Sequence, residues 1–220
     1  FKYNSSLGRH GWLRLTPAYS VRLVEEILAE LDYTPRCVLE PFSGTGTTEL
    51  VCANKGISSF ALEINPFLVW LGNAKLDIYQ RDKVEEFLSI ANTLMQHIEE
   101  YVPTEFPPIY NIYRWWNLPQ AEFLAKLKSA IKTVEDDAVV QLLTVSFCRI
   151  VIELSNAAFN HVSTSFKDDN ECFFSIDIAK EAFISVCEMV AKGALLQPRA
   201  TSKVLLHDSR SIPAECYGAY

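Results

Sequence analysis

The eleven residues Val38-Leu39-Glu40-Pro41-Phe42-Ser43-Gly44-Thr45-Gly46-Thr47-Thr48 constrain this chain more than any other stretch. An apolar run ends in an acid, a glycine–threonine loop follows, and a helical pattern opens at once with Glu49-Leu50-Val51-Cys52-Ala53. The order is strand, tight turn, helix. Glycines at 44 and 46 let the backbone enter turn conformations closed to other residues and bring its N–H groups against a ligand. A second acid, Glu63, closes the next apolar run, Phe60-Ala61-Leu62, 19 residues after Gly44. In nucleotide-binding α/β folds an acid near that distance sits at the tip of the second strand and accepts hydrogen bonds from ribose hydroxyls. Loop and acid together predict a pocket for an adenosine-containing cofactor.

A triphosphate loop would end in Gly-Lys-Ser or Gly-Lys-Thr, and a dinucleotide loop would carry a third glycine where Thr or Glu stands here. Glu40 to Thr48 instead resembles the first motif of S-adenosylmethionine-dependent methyltransferases, specifically those that methylate exocyclic amino groups of DNA bases. Glu40 stands where that family usually has Asp. Leu15-Thr16-Pro17 and the amphipathic run Ser20 to Leu28 resemble the segment upstream of that motif, which caps the methionine end of the cofactor. Glu63-Ile64-Asn65-Pro66-Phe67 resembles the second motif. Lys203 to Arg210 resembles the third, a short apolar strand whose terminal acid meets the adenine edge. The resemblance implies S-adenosylmethionine as cofactor, with Gly44, Thr45, Gly46 and Thr47 around the methionine moiety, Glu63 on the ribose, and Asp208 and Ser209 at the adenine. Thr16, Pro17, Glu40, Phe42, Ser43, Thr48, Ile64 and Asn65 complete the expected site. Plainer readings stand beside these. Asn65 and Pro66 make a good N-cap and first helical position, an N-cap Asp would look like Asp208, and residues 15–28 read equally as an amphipathic helix with proline at its start.

The resemblance also implies an α/β fold: the first strands of a Rossmann-like methyltransferase sheet, with a long helical insertion between strands 2 and 3. Boundaries follow from the pattern. Residues 1–79 read as the cofactor-binding half-domain and 80–200 as a mostly helical insertion. Residues 201–220 then return to the sheet with its third strand. Periodic helical segments are expected at 81–101, 119–133, 136–158 and 177–196. An insertion of that length at the ligand edge of a sheet often carries substrate or partner contacts. Within it Tyr110, Tyr113, Arg114, Trp115 and Trp116 cluster, readable as a base-stacking surface or, favoured on base rates, as the insertion's own core.

Composition narrows the setting. A chain of 220 residues with 49% hydrophobic residues can bury one good core. The segment 138–152 is interrupted by Gln141 and Arg149, so a buried helix is expected there rather than a membrane span. No signal peptide is read at residues 1–10. The six cysteines, at 37, 52, 148, 172, 187 and 216, show no metal-ligand spacing, and reduced thiols in a cytoplasmic protein are expected, with no metal. A net charge of −7 sits awkwardly with nucleic-acid binding, although only a contact face needs to be basic.

One part of the resemblance is missing. Amino-methyltransferases of this kind carry Asp/Asn/Ser-Pro-Pro-aromatic, whose polar residue and backbone hold the target amine while the ring stacks on a flipped base. Phe106-Pro107-Pro108-Ile109-Tyr110 lacks both the polar first residue and the adjacent aromatic. The expectation is therefore the cofactor-binding part of a DNA methyltransferase of a restriction-modification system, acting on adenine N6 or cytosine N4 of double-stranded DNA. A second chain or a C-terminal continuation would complete its sheet. An RNA amino-methyltransferase and a non-catalytic specificity or interaction subunit remain as alternatives.

Overall fold

The computed structural model describes residues 4, 7–13, 15, 19–158, 165–167 and 174–216. In chain order its elements are α1 (Val21–Ala29), β1 (Cys37–Glu40), α2 (Thr47–Asn54), β2 (Ser58–Glu63), α3 (Pro66–Leu76), α4 (Arg81–Gln96), α5 (Ile112–Trp115), α6 (Leu118–Ile131), α7 (Asp137–Glu153), β3 (Ala157–Ala158), β4 (Ser165–Phe166), α8 (Ile176–Ala194) and β5 (Ser202–Leu206). They fall into two compact units, Phe1–Gln80 with Lys192–Tyr220, and Arg81–Ala191. The α/β class, and the helical run lodged between the second and third strands of a parallel sheet, match the sequence pattern.

The first unit is built on that sheet, in the order β1-β2-β5 with every neighbour parallel. Glu40 lies opposite Ala61 and Glu63 opposite Leu206, so all three strands end along one edge. Alternation of side chains splits the core in two. On one face Ala61 and Val204 pack with Leu50 and Ala53 of α2 and Leu76 of α3. On the other, Leu62 and Leu205 meet Cys216, with Leu39 and Phe60 half-buried beside them. α1 lays Val21 and Val24 against Val51 of α2. Gly56, at φ 79°, follows the end of α2 in the left-handed conformation that glycine adopts without strain.

A buried arginine holds the ends of this unit. Arg9 is 2% exposed. Its Nε donates to Gly193 O (3.0 Å), Nη1 to Lys75 O (2.8 Å) and Nη2 to Ala194 O (2.8 Å). Those are terminal carbonyls of α3 and α8, which lack helical donors, so one guanidinium serves two helix ends. It also lies over the rings of Trp12 and Tyr79, at 5.5 and 5.2 Å. Burial lowers its pKa to about 10, and the carbonyls and rings offset the cost of an unpaired buried charge.

The second unit is helical. α4, α6 and α7 pack on one another around Phe87, Leu127 and Leu142, all fully buried. Asn117 and Gln120 close a capping box at the start of α6, with Pro119 in the first turn. Asp136 caps α7 by accepting from Val139 N, and it also pairs with Lys83 of α4 at 2.7 Å. Two features depart from the expected periodic helices. The segment expected to run to 158 stops at Glu153, and Ala157–Ala158 instead pairs antiparallel with Ser165–Phe166. The aromatic cluster includes a single helical turn, α5.

Candidate functional site

The C-terminal edge of the parallel sheet gathers what the sequence singles out. Glu40, at the end of β1, accepts Phe42 N on Oε1 (3.0 Å) and Thr48 Oγ1 on Oε2 (2.9 Å). Its carboxylate thus ties the loop's entry to the first turn of α2. Glu63, at the end of β2, accepts Gly44 N on Oε2 (2.9 Å) and Asn65 N on Oε1 (2.8 Å). One acid therefore spans the turn after β1 and the turn after β2. Each of its oxygens keeps a further lone pair. Gly44 and Gly46 take φ of 55° and 75°, the left-handed region that the loop needs at both positions.

Between these acids the backbone leaves donors uncommitted. Ser43 N donates to Leu62 O and Gly46 N to Ser43 O, each at 3.0 Å. Among the described residues the N–H groups of Thr45, Thr47 and Thr48 have no acceptor. They lie at the start of α2, the positive end of its dipole, where an anionic or acceptor-bearing ligand is favoured. Thr45 and Thr47 are buried, their hydroxyls 3.4 Å apart. Ser43 is buried, its hydroxyl near Glu49 but without a hydrogen bond of good geometry among the described residues, whereas Phe42 and Ile64 are exposed. Asn65 caps α3 by accepting Phe67 N at 3.0 Å.

Asp208 lies beyond β5 on the same edge, where the preceding His207 N donates to Glu63 O at 3.0 Å. Its carboxylate is held by its neighbour: Arg210 Nε donates to both oxygens, at 3.1 and 2.9 Å, and Arg210 N donates to Oδ1 at 2.9 Å. That pairing lowers the Asp208 pKa to about 2. Ser209 is half-buried. Thr16 and Pro17 lie outside the described residues, as does Cys172; the other five cysteines are free thiols. Among the described residues no cluster of His, Cys, Asp or Glu could hold a metal ion, and no helix is long and apolar enough to cross a membrane.

Sequence reasoning missed the floor of this site. Glu49 on α2 is fully buried with neither carboxyl oxygen hydrogen-bonded among the described residues. Burial, with the charge of Glu40 adding, raises its pKa to about 7. Lys75 on α3 is 2% exposed and donates from Nζ to Thr45 O at 2.7 Å. Burial lowers its pKa to about 8 against the pull of Glu49. Gly46 permits this approach, since a Cβ built on it would come within 3.2 Å of the Gly72 Cα. The only local signal was a lysine on the apolar run Phe67 to Leu76.

In the helical unit the aromatic cluster divides. Trp116 Nε1 donates to Val151 O at 2.8 Å, and Trp115 meets Phe166 edge-on at 5.0 Å. The guanidinium of Arg114 lies 4.2 Å from the Phe166 ring centroid. These are internal contacts, whereas Tyr110 is 94% exposed. Trp116, Phe106, Ile112, Leu124 and Phe147 line a cavity of about 180 Å³.

Parts of the chain are similar in sequence to known proteins. The Type II methyltransferase M.AvaI of Nostoc sp. is 28% identical over 91 residues, covering 41% of this chain and 19% of that protein. M.BsoBI of Geobacillus stearothermophilus is 31% identical over 67 residues, and M.MjaII of Methanocaldococcus jannaschii 33% over 67, each covering 30% of this chain and 13% of the relative. The likeness is to Type II methyltransferases. The matched stretches thus span a fifth or less of those relatives' length. No family model matches the chain, and no solved structure does.

Proposed function

We propose that this chain carries the S-adenosylmethionine-binding part of a DNA methyltransferase acting on an exocyclic amine, adenine N6 or cytosine N4. The observation that carries the reading is the shared edge: the glycine loop with uncommitted amides, bounded by strand-end carboxylates at Glu40 and Glu63. The partial likeness to three Type II methyltransferases supports the same reaction class.

The donor set fits such a cofactor. The amides of Thr45, Thr47 and Thr48 suit the carboxylate of a methionine moiety. Glu63 retains acceptor capacity for ribose hydroxyls while its loop bonds hold it in place. Exposed Ile64 and Phe42 offer apolar surface for a ring, and Asp208 with Ser209 would bound the adenine. Glu40 acts through the backbone, fixing the turn and the start of α2. When bound, the cofactor supplies an electrophilic methyl group for transfer. The residues of this chain would grip and orient it. They include no Pro-Pro-aromatic segment at a strand end, so the groups that hold the target amine belong to a further part of the enzyme.

The outer edge of β1 supports that division. β2 directs the backbone groups of Ser59 and Glu63 toward β5, since Ser59 N donates to Thr201 O and Glu63 O accepts His207 N. Pairing with β2 then uses Val38 and Glu40 of β1, and Leu39 faces outward with no partner among the described residues. A further parallel strand, from a second chain or from continuing sequence, would complete this edge. Double-stranded DNA with its target base flipped is the proposed substrate, in a cytoplasmic restriction-modification setting.

The test is calorimetric titration of S-adenosylmethionine into this chain beside Glu63→Ala. The expected result is micromolar binding by the wild type, about −8 kcal/mol, lost in the variant. A folded wild-type chain that binds no S-adenosylmethionine would overturn the reading and leave the non-catalytic subunit in its place.

A further inference from the structure

We infer that Lys75 and Glu49 are positioning residues for the Gly44–Gly46 loop: the lysine ammonium seated on the Thr45 carbonyl, and the buried acid behind Gly46, set the loop shape that leaves the Thr45, Thr47 and Thr48 amides free for a ligand. This rests on reading the loop as a cofactor cradle, and it adds how that cradle is held.

The argument begins with one peptide plane. The peptide joining Thr45 to Gly46 is fixed at both ends, its C=O by Lys75 Nζ at 2.7 Å and its N–H by Ser43 O at 3.0 Å. Because a peptide is planar, holding both ends sets the dihedrals on either side of it. One of those dihedrals is the φ of Gly46, at 75°. Lys75 is itself well anchored, since its carbonyl accepts Arg9 Nη1 at 2.8 Å. The lysine reaches a loop 30 residues earlier in the chain because Gly46, with no side chain of its own, lies against the backbone of Gly72, one turn before the lysine on α3.

A lone buried ammonium would be expelled or neutralised, so its surroundings matter. Glu49 on α2 supplies the opposite charge, and a Cβ on Gly46 would lie 3.9 Å from its Oε2. Glu49 also faces Ser43 of the loop and Glu40 at the end of β1. Lys75 also faces His10 of the Gly8–Gly11 turn, whose pKa is lowered to about 3 by burial, with Lys75 adding. The two charges coexist between about pH 7 and 8. Below that window Glu49 takes up a proton; above it Lys75 releases one. In either case the attraction that seats the ammonium beneath Thr45 weakens.

The test follows the loop by backbone amide NMR from pH 6 to 9, with no cofactor present, in wild type, Lys75→Met and Glu49→Gln. The Gly44, Thr45 and Gly46 amides should titrate with midpoints near 7 and 8 in the wild type. Lys75→Met should abolish the upper midpoint and Glu49→Gln the lower, while the Leu142 amide of the helical unit keeps its wild-type shift. Titration with S-adenosylmethionine at pH 7.5 should be weakened by Lys75→Met roughly tenfold, the loss of one charge-assisted hydrogen bond acting on the loop. Loop amides that stay flat across the range, or both midpoints persisting in Lys75→Met, would overturn the inference. If the wild type binds no S-adenosylmethionine, the cofactor reading fails while the amide titration still decides the positioning role. If one buried charge left alone prevents folding, the double variant Lys75→Met/Glu49→Gln decides instead. Flat loop amides are expected there, and persisting midpoints overturn the inference.

Discussion

The two outer edges of the sheet are finished in opposite ways. On β5 the backbone of Val204 turns away from β2, and the side chain of Asn73 meets it. Asn73 Nδ2 donates to Val204 O at 2.8 Å, and Val204 N donates to Asn73 Oδ1 at 3.0 Å. One amide side chain imitates a neighbouring strand. On β1 no side chain does this for Leu39 among the described residues. On the proposed reading the difference separates a boundary from a junction. An edge that ends a sheet must satisfy or shield its backbone, whereas an edge that continues into another strand needs open N–H and C=O groups.

The largest expected effect comes from breaking the finished edge. Asn73→Leu keeps the volume and removes both bonds, leaving the N–H and C=O of Val204, itself 2% exposed, without partners. The expected cost is on the order of 3 kcal/mol in urea unfolding, two buried backbone groups left unsatisfied. Asn73→Asp keeps the acceptor for Val204 N and should recover part of that loss. Equal midpoints for wild type and Asn73→Leu would mean that water already serves this edge.

Asn73 also marks where the sequence stops being readable. The glycine loop, Glu63 and the cap at Asn65 act within about 20 residues of one another, so their chemistry shows in the order of residue types. The helical interruption was legible as runs of period 3.6, and the first two strands as short apolar runs each closed by an acid, whereas the sheet that joins them was what the family resemblance implied. Asn73 and Val204 are 131 residues apart, and Arg9 and Gly193 184 apart. Nothing local says that an asparagine in α3 will stand in for a strand, or that an arginine will close two helices. Glu49 stands in the first turn of a helix, an exposed position on most helices, and only packing places it inside. The pair β3–β4, two residues on each strand, is too short to carry a period.

A smaller effect separates the loop from the β5 edge, since α3 serves both. The pKa of Lys75 falls from 10.5 in the open chain to about 8 in the fold, so above pH 8 the folded state has shed a proton that the unfolded state keeps. Stability contributed by this group therefore rises with pH from about 8 toward 10.5. The buried thiols of Cys52, Cys148 and Cys187, with pKa raised from 9.0 to about 12, 11 and 12, act in the opposite direction, beginning below pH 9 where thiols of the unfolded chain start to ionise. Those thiols are shared by wild type and Lys75→Met, so their effect cancels in the comparison: from pH 8 to 9 the wild type should gain on the order of 1 kcal/mol relative to Lys75→Met. Asn73→Leu, by contrast, should keep the wild-type slope, because its lost bonds are neutral. A slope shared by wild type and Lys75→Met would place the titrating group elsewhere.

The least perturbing measurement decides the open edge directly. Native-state amide exchange compares Leu39 with Val204, each on an outward-facing position of its strand. Val204 N–H, bonded to Asn73 and buried against α3, should exchange only with opening of the unit. Leu39 N–H faces outward with no acceptor among the described residues and should exchange orders of magnitude faster at low protein concentration. Raising the concentration distinguishes what covers β1. Protection of Leu39 that grows with concentration would mean that two copies of this chain pair along the edge. Protection present at every concentration would mean that the edge is closed within one chain and would remove the main support for a completing strand. Rapid exchange throughout, with Val204 protected, is the outcome expected of a strand built to receive a partner that is not another copy of itself.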